Sequence, residues 1–197
     1  MSFNDFKYCA CLFSIVMISS SFVLVQSEVI KRKNEFFGIA HGVENVPSSN
    51  LSKERGFLVI LNKARRDSSM QPLMIDKDLT RAARYHSYDM ATQNYFSHDT
   101  YDRNPLTDSL EYICNAHDRT QKFVDHETER KIAKISACCS ENCCHDAITS
   151  MDVFNAYLNS PGHRENMFNP SHRLIGIGYI NIPGSKKPHC WTMDFGN

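Results

Sequence analysis

The sequence lacks an excess of charge of either sign. Lys and Arg together number 22, Asp and Glu also number 22, and the formal net charge is zero. No basic stripe interrupts this balance, so nothing in the sequence attracts nucleic acid or anionic lipid. Past the first residues no apolar run approaches the roughly 20 residues of a membrane span, and internal repeats are missing. These absences exclude a nucleic-acid-binding protein, a repeat array and a span within the mature chain.

The first residues contain the longest uncharged stretch of the chain. Residues 8–25 carry no charge, and Lys7 precedes them. Val25 and Ser27 are small enough to occupy a cleavage site, so the pattern predicts a secretory signal peptide over residues 1–27. An uncleaved anchor is the alternative, since about 18 apolar residues nearly span a bilayer. Three consecutive serines dilute the run and favour the signal peptide.

Cysteine is concentrated in one part of the mature chain. Cys9 and Cys11 leave with the signal peptide, so the mature chain keeps an even number of cysteines. An even number of cysteines in an exported chain predicts disulfides. Adjacent cysteines seldom bond each other, so their partners are expected elsewhere, which would hold Glu141 on a loop fixed at both ends. A thiolate metal cluster and a nucleophilic cysteine are the alternatives. The disulfide candidates are Cys114, Cys138, Cys139, Cys143, Cys144 and Cys190.

The folded domain is predicted to begin at the first helical periodicity. Residues 28–50 are mixed and polar, which is typical of a linker or flexible arm, and the domain then covers residues 51–197. Apolar residues recur at helical spacing from Leu51 onward, and Ser68 ends the first helix.

Two further helices and a strand pair complete the pattern. Asp76 or Asp78 caps a second helix that ends near Asn94, and Asp146 is predicted to cap a third that Pro161 stops. An exposed helix is predicted over residues 127–134. Alternation and β-branched residues then predict strands over residues 174–180 and 189–195, joined by a hairpin loop. Helices first and strands last indicate an α+β fold.

Three separated segments each place a metal-binding or proton-transferring side chain near a turn. His98, Glu141 and His163 are these side chains, and two imidazoles with a carboxylate suit a Zn²⁺ site with three protein ligands and a water. The spacing does not resemble a compact His-x-x-x-His metal helix, so this prediction depends on the three converging in space. His86 lies on the apolar face of the second helix and is interpreted as a hydrogen-bonded core histidine.

The ordered segments together resemble the CAP superfamily of cysteine-rich secretory, antigen 5 and pathogenesis-related proteins, also called SCP domains, in its compact bacterial-type branch. The likeness runs from about Leu51 to Asn197. It is carried by Asn94-Tyr95-Phe96-Ser97-His98, Ser140-Glu141-Asn142, Ser160-Pro161-Gly162-His163-Arg164, Ile175-Gly176-Ile177-Gly178 and Trp191-Thr192-Met193-Asp194-Phe195-Gly196.

The resemblance implies a three-layer α-β-α sandwich with a small central sheet and a cleft of two histidines and two glutamates that binds a divalent metal. It also implies an exported protein that acts by binding, with sterols, fatty acids, proteins and membranes among the ligand classes. The chain departs from the family pattern at Ser140, where glycine is usual, and at Ser160, which stands where the second glutamate is expected. Glu165 is the candidate to replace that glutamate.

Our leading hypothesis is a secreted, non-enzymatic domain whose His/Glu cleft binds Zn²⁺ or another divalent cation, or a small ligand such as a lipid or sterol. An extracellular protein is the other partner class considered. The alternative hypothesis is a metal-dependent hydrolase or peptidase, with Glu141 as the general base that activates a metal-bound water.

Overall fold

The computed structural model describes residues 36–125 and 140–197, which form an α+β fold. The signal peptide predicted over residues 1–27 and the exposed helix predicted over residues 127–134 lie outside the described residues. The helices are α1 (Leu51–Asp67), α2 (Lys77–Gln93), α3 (Ala116–Asp125), α4 (Ser150–Leu158) and α5 (Pro161–Met167). The strands are β1 (Met74–Ile75), β2 (Thr100–Arg103), β3 (Leu110–Cys114), β4 (Ser140–His145), β5 (Leu174–Asn181) and β6 (His189–Gly196).

The central sheet has four strands in the order β1-β5-β6-β4. β1 runs parallel to β5, whereas β6 is antiparallel to both β5 and β4. The predicted strand pair is confirmed as the β5–β6 hairpin. β2 and β3 form a separate antiparallel pair that the sequence pattern did not predict.

Helices cover both faces of the sheet, so the predicted three-layer sandwich is confirmed. One hydrophobic core joins α1, α4 and α5 to one face of the sheet. A second core lies on the opposite face, where α2 and α3 pack. Tyr179 and Trp191 belong to the first core, and Ile180 and Cys190 belong to the second, as the alternation of side chains along a strand requires.

Two glycines of β5 let α2 approach the sheet closely. A Cβ atom on Gly176 would lie 2.0 Å from the backbone carbon of Leu79, and one on Gly178 would lie 2.4 Å from that of Ala83. Backbone therefore packs directly on backbone at this interface, which fixes the position of α2 and of the residues that follow it.

Helix ends agree with the sequence pattern at α2 and differ from it at α4. The Asp76 side chain accepts hydrogen bonds at the start of α2, and Asn94 ends this helix in the left-handed conformation. The predicted cap at Asp146 is wrong, because Thr149 and Asp152 form a capping box at the start of α4. Pro161 does not stop the chain from being helical, since it begins α5.

The part of the predicted arm that the structure describes is irregular but packed. Ala40 and Val46 are buried in the second core, and the backbone N–H of Gly38 donates to Asp89 Oδ1 at 2.8 Å. Phe36–Asn197 form one compact unit. Within residues 36–125 and 140–197, no helix combines the length and the apolar composition that a membrane crossing requires.

Candidate functional site

His98 lies just beyond the end of α2, on a segment held against β4. Asn94 closes the helix, and His98 follows it with a side chain that is 55% exposed. Its Nδ1 atom is 2.9 Å from Glu141 Oε1. This hydrogen bond is the main cause that raises the pKa of His98, with burial opposing it.

Glu141 is the second residue of β4, so the predicted loop position between disulfides is wrong. Its side chain is 2% exposed and lies opposite Asp194 of β6 in the sheet register. Oε1 accepts from His98, and Oε2 accepts from the guanidinium of Arg119. Burial alone raises the pKa of Glu141, but the charge of Arg119 and the hydrogen bond from His98 lower it to about 2.

Arg119 of α3 is the site residue that the sequence analysis missed. Its side chain is fully buried, and besides Glu141 it donates to the carbonyl oxygen of His98 at 3.0 Å and to Thr100 Oγ1 at 2.9 Å. Phe123, four residues further along the same helix, is also buried, so both side chains lie on the inward face of α3. The guanidinium of Arg119 thus holds the carboxylate of Glu141 close to the backbone of His98.

His163 is presented by the first turn of α5, beside the other histidine. The ring centroids of His98 and His163 are 6.3 Å apart, and Tyr157 packs edge-on against His163 at 5.0 Å. Burial and then the neighbouring His98 lower the pKa of His163. Asn142 Nδ2 donates to the carbonyl oxygen of His163 at 2.9 Å, which attaches α5 to β4.

The two histidines suit a shared metal ion. A Glu141 carboxylate can only accept, so the hydrogen bond to it places the proton of neutral His98 on Nδ1 and leaves the Nε2 lone pair free. Zn–N bonds are about 2.0–2.1 Å, so imidazoles that share a tetrahedral ion have ring centroids about 5–5.5 Å apart. The observed 6.3 Å is about 1 Å wider, a difference that rotation of the half-exposed His98 side chain can close.

Of the two other residues of the predicted cleft, Ser160 lies at its edge and Glu165 lies outside it. Ser160 is the N-cap residue of α5 and lines the same groove as His163. Glu165 is exposed and lines a different cavity, as expected for residues two apart on a helix, which do not face each other. The structure therefore brings His98, Glu141 and His163 together and does not bring Glu165 to them.

A groove of about 270 Å³ runs from His163 along β4. Its walls combine aromatic rings, a short aliphatic side chain and two thiols. The lining residues are Phe96, Cys143, Cys144, His145, Ala156, Tyr157, Ser160 and His163.

Four of the predicted disulfide cysteines are free thiols, namely Cys114, Cys143, Cys144 and Cys190. Cys143 packs in the second core and Cys144 against the first, so these neighbours lie on opposite faces of the sheet. Cys190 shares a face with Cys143 but is a diagonal neighbour in the register. Such pairs are about 7–8 Å apart, beyond the usual disulfide range of about 4.4–6.8 Å.

The remaining two candidates, Cys138 and Cys139, lie outside the described residues. Disulfide bonding that involves them therefore stays a prediction.

Comparison with known proteins identifies the fold and the family. The family model described as "Cysteine-rich secretory protein family" (CAP) matches residues 58–195. The uncharacterized protein YkwD of Bacillus subtilis (strain 168) is 31% identical over 152 residues, which cover 77% of this chain and 49% of YkwD. The chain thus spans about half the length of this curated relative.

Two solved structures share the fold. An outer surface protein from Borrelia burgdorferi superposes with a TM-score of 0.58 at 18% identity, covering 75% of this chain and 93% of that one. An extracellular protein containing a SCP domain from Bacillus anthracis str. Ames gives a TM-score of 0.54 at 23% identity, covering 74% and 40% respectively. With the family model matched over most of its length, the chain belongs to the cysteine-rich secretory protein (CAP) family.

Proposed function

We propose that this protein is an exported CAP domain that binds a divalent metal ion, such as Zn²⁺, through His98 and His163, and that it acts by binding. The observation that carries the proposal is the pair of imidazole rings 6.3 Å apart, one of them hydrogen-bonded to a buried carboxylate. Neutral imidazole is a good ligand for Zn²⁺. When bound, the ion would supply a Lewis-acidic centre at the mouth of the groove.

Glu141 acts in this proposal by orienting His98. Metal-bound histidines commonly donate their second ring N–H to a carboxylate, which fixes the tautomer and raises the basicity of the ligand nitrogen. The contact between His98 Nδ1 and Glu141 Oε1 at 2.9 Å has this form. The ion would then have two protein ligands, and water or a bound ligand would complete its coordination.

Export is supported by the uncharged N-terminal stretch behind Lys7 and by the family match. The structural relative from Bacillus anthracis is described as extracellular and that from Borrelia burgdorferi as an outer surface protein. We place this chain in the same compartment.

The groove beside His163 supports the proposal that the protein also binds a small ligand with an apolar part. Phe96, Ala156 and Tyr157 provide apolar contact area, and Phe96 is 42% exposed. A lipid or sterol fits this chemistry. Mass spectrometry of the protein purified without detergent is expected to detect a co-purified lipid, and a lipid-free protein that also fails to bind sterol would remove this ligand class.

The hydrolase alternative is weakened by the state of Glu141. A general base works best when its pKa lies near the working pH, whereas the pKa of Glu141 is lowered to about 2. Both of its oxygens also bind other groups. Turnover of a peptide and ester library that is lost on Glu141→Gln would favour the hydrolase over the binding protein.

Isothermal titration of Zn²⁺ tests the metal proposal. We expect the binding heat to be lost in a His98→Ala, His163→Ala double variant and kept in His41→Ala, which removes an exposed histidine of the segment before α1. Affinity should fall as the pH is lowered through about 6.5, because the imidazoles must be deprotonated to bind. Identical heats for the wild-type protein and the double variant would contradict the proposal.

A separate Zn²⁺ titration tests whether Glu141 orients His98. Loss of such a carboxylate typically weakens metal affinity by about 10–100-fold, so Glu141→Gln should show a weaker but measurable Zn²⁺ titration. An unchanged affinity would show that the carboxylate does not orient His98 for the ion.

A further inference from the structure

A second group of metal-binding side chains lies deeper than the histidine pair. One ligand atom each from His86, Glu141 and Cys143 lie within 4.8 Å of one another, and all three residues are buried. His86 and Cys143 take no part in the proposed zinc site. The cluster therefore needs its own explanation.

His86 carries a lone pair that no described neighbour uses. Its Nε2 is 2.8 Å from the carbonyl oxygen of Ser97, and since a carbonyl only accepts, Nε2 bears the hydrogen and Nδ1 is left as an acceptor. Nδ1 is buried and has no hydrogen-bond partner among residues 36–125 and 140–197. Burial lowers the pKa of His86 to about 3, so the ring stays neutral and its lone pair remains available.

Cys143 supplies the thiol of this cluster. Its Sγ is 3.3 Å from Glu141 Oε1, and the residue contributes to the wall of the groove beside His163. Thiolate sulfur with imidazole nitrogen selects soft ions, among them Cu⁺.

A monovalent ion can enter the cluster without changing its net charge. Glu141 forms an ion pair with the fully buried Arg119, and the buried carboxyl group of Asp194 lies close to both. If Cu⁺ replaces the thiol proton of Cys143, the proton leaves to solvent and the net charge of the cluster does not change. Zn²⁺ in the same exchange would add one positive charge to the buried cluster, beside the guanidinium of Arg119.

We infer that His86 and Cys143 form a buried site for Cu⁺ beside the Glu141–Arg119 ion pair. Metal–nitrogen and metal–sulfur bonds of about 2.0–2.3 Å allow one ion between two ligand atoms that are up to about 4.4 Å apart. The spacing of the cluster, within 4.8 Å, accommodates this arrangement with a small side-chain adjustment.

Anaerobic titration of the full chain with Cu⁺ against a chromophoric Cu⁺ chelator tests the site. Because other thiols also bind copper, the decisive quantity is the difference between matched variants. We expect Cys143→Ser and His86→Gln each to lose one equivalent of tightly held Cu⁺. Cys190→Ser, which removes another buried thiol on the same face of the sheet, should keep it.

The His98→Ala, His163→Ala double variant separates this site from the zinc site. It should keep the Cu⁺ equivalent while losing the Zn²⁺ heat, so either proposal can fail without the other. Copper retention in Cys143→Ser and His86→Gln equal to that of the wild-type protein would overturn the inference, as would an equal loss in Cys190→Ser. Thermal unfolding of each metal-free variant checks that it folds. If Cys143→Ser does not fold, the copper retention of His86→Gln decides the question.

Discussion

At the scale of single residues, the buried ion pair between Arg119 and Glu141 is the feature on which the site depends. Both side chains are almost fully inaccessible, so removing one partner leaves a charge in a medium that solvates it poorly. We expect Arg119→Met to lower the free energy of unfolding by about 3–5 kcal/mol at neutral pH. Urea denaturation followed by far-UV circular dichroism measures this loss.

The control for this variant is the removal of both charges. Arg119→Met combined with Glu141→Gln removes both charges of this pair, so most of the lost stability should return. If the double variant is as unstable as Arg119→Met alone, packing of the arginine side chain and not its charge explains the loss.

The same ion pair predicts how stability changes with pH. The folded pKa of Glu141, about 2, lies below its ordinary value of 4.5. The stabilising contribution of this group is therefore present above about pH 4.5 and is lost as the pH falls towards 2. Glu141→Gln should reduce the acid sensitivity of unfolding in this window, and an unchanged pH profile would contradict the assignment.

Sequence patterns located the histidines of the site but not the group that holds them. His98 and His163 follow recognisable helix ends and turn residues. Arg119 is recognised only by its partner on β4, in a different element, and no local periodicity reports a buried charge pair that forms across the fold. The same limitation applies to Glu141, whose flanking cysteines suggested a loop although the residue pairs in a strand.

At the scale of elements, the contact between α2 and β5 requires glycine. A methyl group on Gly176 would lie 2.0 Å from the backbone of Leu79, and backbone cannot move aside as a side chain can. We expect Gly176→Ala to lower the free energy of unfolding by about 3 kcal/mol or more. Differential scanning calorimetry of purified protein measures the change.

Gly162 provides the matched control for that substitution. A Cβ atom there meets no neighbour within 4 Å, and alanine is favoured in a helix such as α5. Gly162→Ala should be neutral or slightly stabilising. Equal destabilisation of both variants would mean that the close approach of α2 is not the cause.

The start of α4 gives a second test at this scale. The Thr149 hydroxyl accepts from the backbone N–H of Asp152 in the capping box, so Thr149→Ala should cost about 1 kcal/mol. Asp146 has a φ of +66° and does not cap the helix. Asp146→Gly should therefore leave stability within about 0.5 kcal/mol. Chemical denaturation of the two variants in parallel measures both changes in the free energy of unfolding. A larger loss for Asp146→Gly would mean that Asp146 caps the helix, as the sequence pattern predicted.

At the scale of the whole molecule, the layer order was predictable and the attachment of the chain before α1 was not. Helical and strand periodicities are local signals, so three helices and the closing hairpin could be located from the sequence. Residues 36–50 have no such periodicity, and their irregular backbone was interpreted as a linker. Their anchoring depends on distant groups such as Arg81, which donates to the carbonyl oxygen of Gly42 at 2.6 Å.

Removing this segment should therefore destabilise the domain. Val46 is 2% exposed in the second core, and burying one such side chain contributes about 1.5–3 kcal/mol. A chain that begins at residue 47 is expected to lose at least about 2 kcal/mol relative to one that begins at residue 36, because the contacts of Gly38 with Asp89 and of Gly42 with Arg81 are lost as well. Urea midpoints of the two chains measure the difference. Coinciding midpoints would mean that residues 36–46 behave as the linker that the sequence pattern predicted.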